Sequence, residues 1–302
     1  MNRNTREHLL GIAAILVAAI LWGTTGTAAT FAPNVSAVAI GAVAMGGGGL
    51  MQAALYAGHI HRYAGQLRAQ WRYLLLGALG VTVYPLAFYA SMRLAGVSIG
   101  TVVSIGSAPL LSALIEYCLD GLRLTRRWVF GAGLGLVGIV LLCLADEGGP
   151  MPTGAETDAI FGVLLGLLAG LTYALYSWTA RRLMQRGIAS RAAMGAIFGM
   201  GGLLLMPVLL ITGAPLLASW GSASVGLYMA LVPMFLGYLC FGHGLARTPA
   251  STATTITLFE PVVATGLAII IVGEHLPPMG WTGIGLILAC LVLISASANA
   301  NK

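Results

Sequence analysis

Ten apolar runs of about 20 residues follow one another along the chain, separated by short stretches that hold nearly all of its arginines. They cover 9–32 and, within a few residues, 36–57, 72–94, 98–118, 127–145, 159–181, 191–212, 222–245, 249–272 and 279–298. A helix rises 1.5 Å per residue, so about 20 apolar residues cross a hydrocarbon layer roughly 30 Å thick. Each run therefore predicts a transmembrane helix. The first exceeds the 7–15 residues of a signal-peptide core, which predicts a retained span rather than a cleaved leader.

The ten runs fall into two sets of five. Setting Pro109 against Pro261 aligns Gly121 with Gly273, Leu124 with Leu276, Gly131 with Gly283, Gly133 with Gly285 and Leu134 with Leu286, without a gap. At an offset one residue smaller, Gly11, Leu16 and Ala18 match Gly162, Leu167 and Ala169. A shared order of proline, break and glycine-rich helix points to duplication. The expected division is a first repeat at 1–145, an extracytoplasmic linker at 146–158 and a second repeat at 159–302. Five is odd, so the second repeat enters the bilayer from the opposite side, the inverted arrangement found in many secondary transporters.

Composition excludes a soluble globule: 58% of residues are hydrophobic and 8% charged, against about 25% charged in soluble domains. The net charge of +6 would suggest nucleic acid in a soluble chain. Here the basic residues mark topology instead, and no nucleic-acid partner is expected. With the N-terminus cytoplasmic, that side holds Arg3, Arg6, Arg62, Arg68, Arg72, Arg123, Arg126, Arg127, Arg181, Arg182, Arg186, Arg191, Arg247 and Lys302, fourteen residues against Arg93 alone on the other. The positive-inside rule then predicts both termini in the cytoplasm of an inner (plasma) membrane protein. Cys118, Cys143, Cys240 and Cys290 lie within or at the ends of apolar runs without CxxC spacing, and read as small hydrophobes. No cofactor or metal motif is present. His-Glu-x-x-His and Gly-x-Ser-x-Gly are also absent, which argues against an intramembrane enzyme.

Several of the 42 glycines recur every four residues: Gly162, Gly166 and Gly170; Gly131 and Gly135; Gly195 and Gly199. Such faces predict close helix contacts. The run Gly46–Gly49 lies inside an apolar span with no following lysine, so it predicts packing or a loosened helix rather than a phosphate cradle.

Chemistry-bearing residues inside the spans are few. Glu260 falls halfway along the ninth, where a carboxylate must face the protein interior. It either serves gating, coupling or substrate contact, or it satisfies backbone donors loosened by Pro261. His243 is either a cavity donor and proton carrier or a hydrogen bonder between helices. Glu116 is expected at the membrane interface near Arg123 and Arg126. Trp71, Trp128, Trp178, Trp220 and Trp281 lie near span ends and read as an interfacial belt. The mid-span aromatics Trp22, Tyr84, Phe88, Tyr173, Tyr176 and Tyr238 need another account. They either pack the core or line a cavity that stacks flat or cationic substrates.

The stretches Phe259-Glu260-Pro261-Val262-Val263, Gly273-Glu274-His275-Leu276 and Gly283-x-Gly285-Leu286 resemble the end of an EamA-type domain of the drug/metabolite transporter superfamily. The whole chain fits two such domains, and its arrangement is most similar to aromatic amino acid exporters of the YddG type. The first repeat departs from the pattern, with Ala108-Pro109 and Gly121-Leu122 in place of Glu260-Pro261 and Gly273-Glu274. The resemblance implies an all-α fold in which spans one, three, four, six, eight and nine surround a midplane cavity. It also implies export of aromatic and other neutral amino acids, small molecules carried across the lipid bilayer by alternating access. Candidate substrate contacts are then Trp22, Tyr84, Phe88, Ser104, Tyr173, Tyr176, Tyr238, His243 and Thr257, with Thr24, Thr25, Ser107 and Thr254 as further hydroxyls. Glu260, Pro85, Pro109 and Pro261 are candidates for gating or coupling. The connections at 95–97 and 247–248 fall on opposite membrane faces and so can close opposite gates. A rival reading is proton-coupled efflux of cationic hydrophobic drugs such as quaternary amines, with Glu260 as counter-charge.

Overall fold

The computed structural model describes residues 3–145, 156–272 and 275–297, and every regular element among them is helical. Most of the expected 146–158 linker, and the pair Gly273-Glu274, lie outside the described residues. Among the described residues, nine helices are long and apolar enough to cross a membrane: α1 (Arg6–Thr30), α2 (Ala37–Leu55), α3 (Trp71–Ala95), α4 (Ile99–Asp120), α5 (Arg126–Ala145), α6 (Asp158–Gln185), α7 (Ser190–Thr212), α8 (Trp220–Leu245) and α9 (Ala250–Ile271). A shorter apolar helix, α10 (Pro278–Ile294), completes the set of ten.

The pairing of these helices carries the internal symmetry. α3 packs on α6 as α1 packs on α8, α4 on α6 as α9 on α1, and α3 on α7 as α8 on α2. The pairs α2 with α7, α4 with α9 and α5 with α10 map onto themselves when each helix is exchanged with the one five places on. That is the contact pattern of two five-helix repeats related by a pseudo-twofold axis.

Glycines set the closest approaches. A Cβ on Gly162 would meet Ala95, one on Gly166 Ser91 and Val103, and one on Gly170 Ser104 and Ser107, so the predicted stripe seats α6 against both α3 and α4. In the run at 46–49, a Cβ on Gly48 would fall 3.0 Å from the Ala230 carbonyl oxygen and one on Gly49 would strike that of Phe198. The run brings α2 onto the backbones of α8 and α7. Lipid offers no hydrophobic drive between helices, so close backbone packing of this kind supplies much of the association energy. In the α5–α10 pair, a Cβ on Gly138 would lie 2.7 Å from the Gly283 carbonyl oxygen, and one on Gly283 2.6 Å from that of Gly138. Gly138→Leu is accordingly expected to destabilise the fold by about 1–3 kcal/mol through overpacking, read as a lowered melting temperature in detergent. Leu at Gly133, where a Cβ would meet nothing within 4 Å, should be tolerated.

The helix that contains α4 begins at Val97, so Gly96 alone parts it from α3, at φ 90° and ψ 154°, a conformation that L side chains rarely adopt. α9 departs from its counterpart α4. Pro109 leaves α4 helical throughout, whereas α9 is α-helical over Ala250–Ile256, tightens to a 3-10 turn at Thr257–Phe259, resumes over Glu260–Leu267 and widens to a π-helix at Ala268–Val272. Pro261 has no N–H for the carbonyl of Thr257, so the ladder breaks there. α8 also carries a π segment, Ala230–Leu236, around Pro233.

Two sequence expectations are corrected. Trp128 and Trp178 do not join an interfacial belt, being only 8% and 5% exposed, although Trp71, Trp220 and Trp281 are exposed as foreseen. Glu116 is buried within the protein beside Arg181, not exposed at its surface. It is 2% exposed, because α9 begins beside it and supplies backbone donors for its carboxylate.

Candidate functional site

α1, α3, α6 and α8 meet around a cluster of aromatic rings. Trp22 comes from α1, Tyr84 and Phe88 from α3, Tyr173 and Tyr176 from α6, and Tyr238 from α8. Tyr173 and Tyr176 stack at 5.2 Å between centroids, Tyr84 stands 5.5 Å from Tyr173, and Trp22 is 4.7 Å from Tyr238. Trp22 and Tyr173, separated along the chain by the same 151 residues as Gly11 and Gly162, meet edge to face at 6.4 Å. Two rings join that the sequence reading passed over: Phe198 from α7, 4.3 Å from Tyr238, and Phe241, 5.4 Å from Trp22. Phe198 stood in a span assigned to the periphery. Phe241 lies one turn before Leu245 on the same face as Tyr238, and that spacing was available as a signal.

Polar atoms fix the ring orientations. The Tyr176 and Tyr238 hydroxyls share a hydrogen bond of 2.8 Å, and those of Tyr173 and Thr257 one of 2.9 Å. Trp22 Nε1 donates to the Pro233 carbonyl oxygen at 2.9 Å, within the π segment of α8. Tyr228 donates to Thr24 Oγ1 at 2.8 Å, while Thr254 donates to carbonyls of its own helix. Ser104 is buried where α4 crosses Gly170 of α6. Pro85 and Pro261 are also buried. Glu260 is partly exposed and lies within electrostatic reach of the Tyr84, Tyr89, Tyr173 and Tyr238 hydroxyls. His243 is not brought to this cluster. It sits exposed on the outer surface of α8, and its carbonyl accepts a hydrogen bond from Arg247.

The two ends of the bundle differ. Where α4, α6, α8 and α9 terminate together, Glu116 accepts from the Ala250 and Ser251 amides at 2.7 and 3.0 Å and from the Ser251 hydroxyl. The carboxylate thus caps the N-terminus of α9, where helix-end amides favour negative charge. Arg181 donates to the carbonyls of Leu245, at the end of α8, and Thr248, in the 247–248 connection. Asp120 accepts from Trp178 Nε1 at 2.8 Å and pairs with Arg182 at 2.9 Å, and Arg247 pairs with Glu7 at 2.8 Å. Along α9, every residue of 250–258 except Thr252 is buried, whereas all six of 262–267 are partly exposed. Cβ atoms on Gly266, and on Gly26 near the corresponding end of α1, would meet nothing within 4 Å. Polar ties close one end of the bundle; toward the other, α9 is partly exposed beyond Pro261, although Gly23 of α1 still packs against Glu260 and Val263.

None of these groupings has the makings of a metal site: among the described residues no three His, Cys, Asp or Glu side chains converge.

The chain is similar to known proteins over nearly its whole length. The EamA-like transporter family matches residues 9–144 and 160–296. An uncharacterized transporter, YwfM of Bacillus subtilis (strain 168), is 32% identical over 289 residues, covering 95% of this chain and 94% of that one. The threonine/homoserine exporter RhtA of Escherichia coli (strain K12) is 26% identical over 68% of each chain. A probable terminal-alkyne amino-acid exporter of Streptantibioticus cattleyicolor is 23% identical over 73% of this chain and 71% of that one. A solved crystal structure superposes with a TM-score of 0.77 at 20% identity, covering 97% of this chain and 98% of the other. These relatives are transporters rather than enzymes, and with both repeats matched the chain belongs to the EamA-like transporter family.

Proposed function

We propose that this protein is a secondary transporter exporting aromatic and other neutral amino acids from the cytoplasm by alternating access around the Trp22, Tyr84, Tyr173, Tyr176 and Tyr238 cluster. The observation that carries the reading is the contrast between the two ends: polar ties join the helices at the end holding Glu116, Arg181 and Asp120, and α9 is partly exposed over 262–267 toward the other. The distribution of fourteen basic residues against one supports assigning the tied end to the cytoplasm. On that assignment the 247–248 connection is the closed cytoplasmic gate. Similarity to two amino-acid exporters supports the cargo class.

Counterflow in proteoliposomes loaded with a panel of labelled amino acids tests the function. Exchange of phenylalanine, tyrosine or threonine is expected; exchange of none would reject the reading. In the same vesicles, a cysteine at Thr153 should react only with reagent applied to the extracytoplasmic side. Labelling from the cytoplasm would reverse the orientation.

The partly exposed Glu260 beside a wall of tyrosines favours a second reading, the binding of organic cations. Proton-dependent transport of a quaternary amine, abolished by Glu260→Gln while amino acid exchange persists, would establish it.

A further inference from the structure

α2 ends at Leu55, and the chain reaches α3 at Trp71 through two short helices, Ala57–Arg62 and Ala64–Ala69. They lie at the tied end of the bundle, where Arg186, one turn past Arg182, is held by Gln70 and the Tyr73 hydroxyl. Beside them is a groove of about 350 Å³, lined by Gly195, Ala196 and Gly199 of α7, Ala53 of α2, Leu74 of α3 and Arg68 of the second short helix. We propose that this groove holds one acyl chain of an anionic phospholipid, whose phosphate sits on the Arg68 guanidinium. The site is separate from the ring cluster, and it depends on the membrane-spanning fold rather than on any cargo.

Glycines on α7 give the groove its shape. A Cβ on Gly195 would meet Tyr56 at 3.1 Å and Ile60 at 3.2 Å, and one on Gly199 would strike Ala53, so α2 and the first short helix press on the α7 backbone. The second short helix packs on α3 instead, and the space left between them is the groove. Ala53, Leu74 and Ala196 are partly exposed and Arg68 is exposed. The groove therefore opens on the outer surface of the bundle, where lipid chains lie. α7 starts at Ser190, so at 1.5 Å per residue positions 195–200 fall roughly 8–15 Å below that start. That is within the half of a roughly 30 Å hydrocarbon layer nearest the tied end.

The chemistry of the walls selects the occupant. Among the described residues that line the groove, only Arg68 has a polar side chain. Water there would lack partners, whereas the bilayer supplies hydrocarbon chains at the same depth. Charge selects the headgroup: the stretch 56–73 holds His59, His61, Arg62, Arg68 and Arg72 and no Asp or Glu. Neither ion pair among the described residues involves any of them. Arg72 lies over the Trp71 ring at 5.7 Å and is not part of the groove wall. Arg68 alone stands at the slot, with a fork of N–H donors that fits phosphate oxygens. A basic segment next to a span attracts anionic lipid in general, and a chain-sized slot beside one arginine makes that attraction local. A choline headgroup would bring its own cation toward the same basic segment and gain less.

The test counts lipid retained by the full-length protein, delipidated in detergent, when dioleoyl phosphatidylglycerol or dioleoyl phosphatidylcholine is added and the complexes are read by native mass spectrometry. The unaltered protein should hold one phosphatidylglycerol roughly fivefold more tightly than phosphatidylcholine, the preference expected of one arginine beside an anionic headgroup. Its melting temperature should also rise more with the former. Because Arg68 is exposed, its substitution should leave the fold intact. Arg68→Gln should abolish the preference without lowering phosphatidylcholine retention, Arg68→Lys should restore most of it, and Arg72→Gln should keep it. Ala196→Phe on α7 and Ala64→Phe on the second short helix both fill the groove and should lower retention of both lipids several-fold. Either serves if the other does not fold. Equal retention of the two lipids, a preference that survives Arg68→Gln or falls as far in Arg72→Gln, or retention untouched by filling the groove would overturn the proposal. So would lipid-free dimers that disappear when the groove is filled, which would make a second copy the occupant. Transport of no amino acid would leave this site standing, and failure here would leave the export reading standing.

Discussion

Replacing Glu116 by alanine is expected to open the tied end of the bundle and to lower thermal stability together. The side chain is buried and accepts from two backbone amides and a hydroxyl at the start of α9. Stranding a buried donor costs about 1–3 kcal/mol, and loss of an N-cap alone about 1 kcal/mol. With two amides stranded in the closed arrangement and hydrated in an open one, the balance between the two should shift by about 2–4 kcal/mol. Each 1.4 kcal/mol is roughly a factor of ten in population. The readout is cytoplasmic labelling of a cysteine at Ala253, which is fully buried on α9, in a background lacking Cys118, Cys143, Cys240 and Cys290. Labelling should rise by roughly one and a half to three orders of magnitude, while a cysteine at Ile139, buried among α4, α9 and α10 neighbours, stays protected. Glu116→Gln keeps one carbonyl acceptor and should fall between. Protection of position 253 equal to that in the parent protein would remove Glu116 from the gate. Labelling at 139 as well would mean general unfolding.

The second large effect separates recognition from packing within the ring cluster. Tyr84 is only partly buried, with Phe88, Tyr173 and Tyr176 as ring neighbours. Tyr84→Ala is expected to weaken competition by an aromatic amino acid roughly two- to tenfold more than competition by threonine, the equivalent of about 0.5–1.5 kcal/mol of ring contact. Tyr173 is 3% exposed, touches the rings of Trp22, Tyr84, Tyr176 and Phe241 and bonds to Thr257. Tyr173→Ala opens a cavity under these rings and should cost about 3–5 kcal/mol of stability, depressing the melting temperature and transport of every substrate alike. If Tyr84→Ala also lowers both substrates equally and destabilises the protein, the rings are core and not recognition surface.

How far the sequence reached depended on the kind of interaction. The ten helices were legible because length and uniform hydrophobicity are local properties, and the repeats because proline and glycine positions recur at a fixed offset. The glycine face of Gly162, Gly166 and Gly170 could be read in advance, since small residues at helical spacing have one main use in a bilayer. Trp22, Tyr84, Tyr173, Tyr176 and Tyr238 stood out as mid-span aromatics, and the structure does gather them.

Glu116 and His243 mark where that reading stopped. Each was judged by its distance along its own helix from the membrane surface, and each judgement missed the neighbour. Glu116 is internal because the start of α9, 134 residues away in the chain, brings donors to it. His243 is external because the inward face of that turn is taken by Tyr238, Phe241 and Gly242. Depth and hydrophobicity are written residue by residue, so the sequence alone determined the spans, the duplication and the orientation expected from its arginines. Which face of each helix turns inward, and which charges meet between helices far apart in the chain, depends on several crossings at once. The Trp178–Asp120–Arg182 set, the fork of Arg181 on the α8–α9 hairpin and the packing of Phe198 into the rings were therefore decided only by the tertiary structure, where glycine-spaced backbones fix the crossings and buried polar groups must find partners.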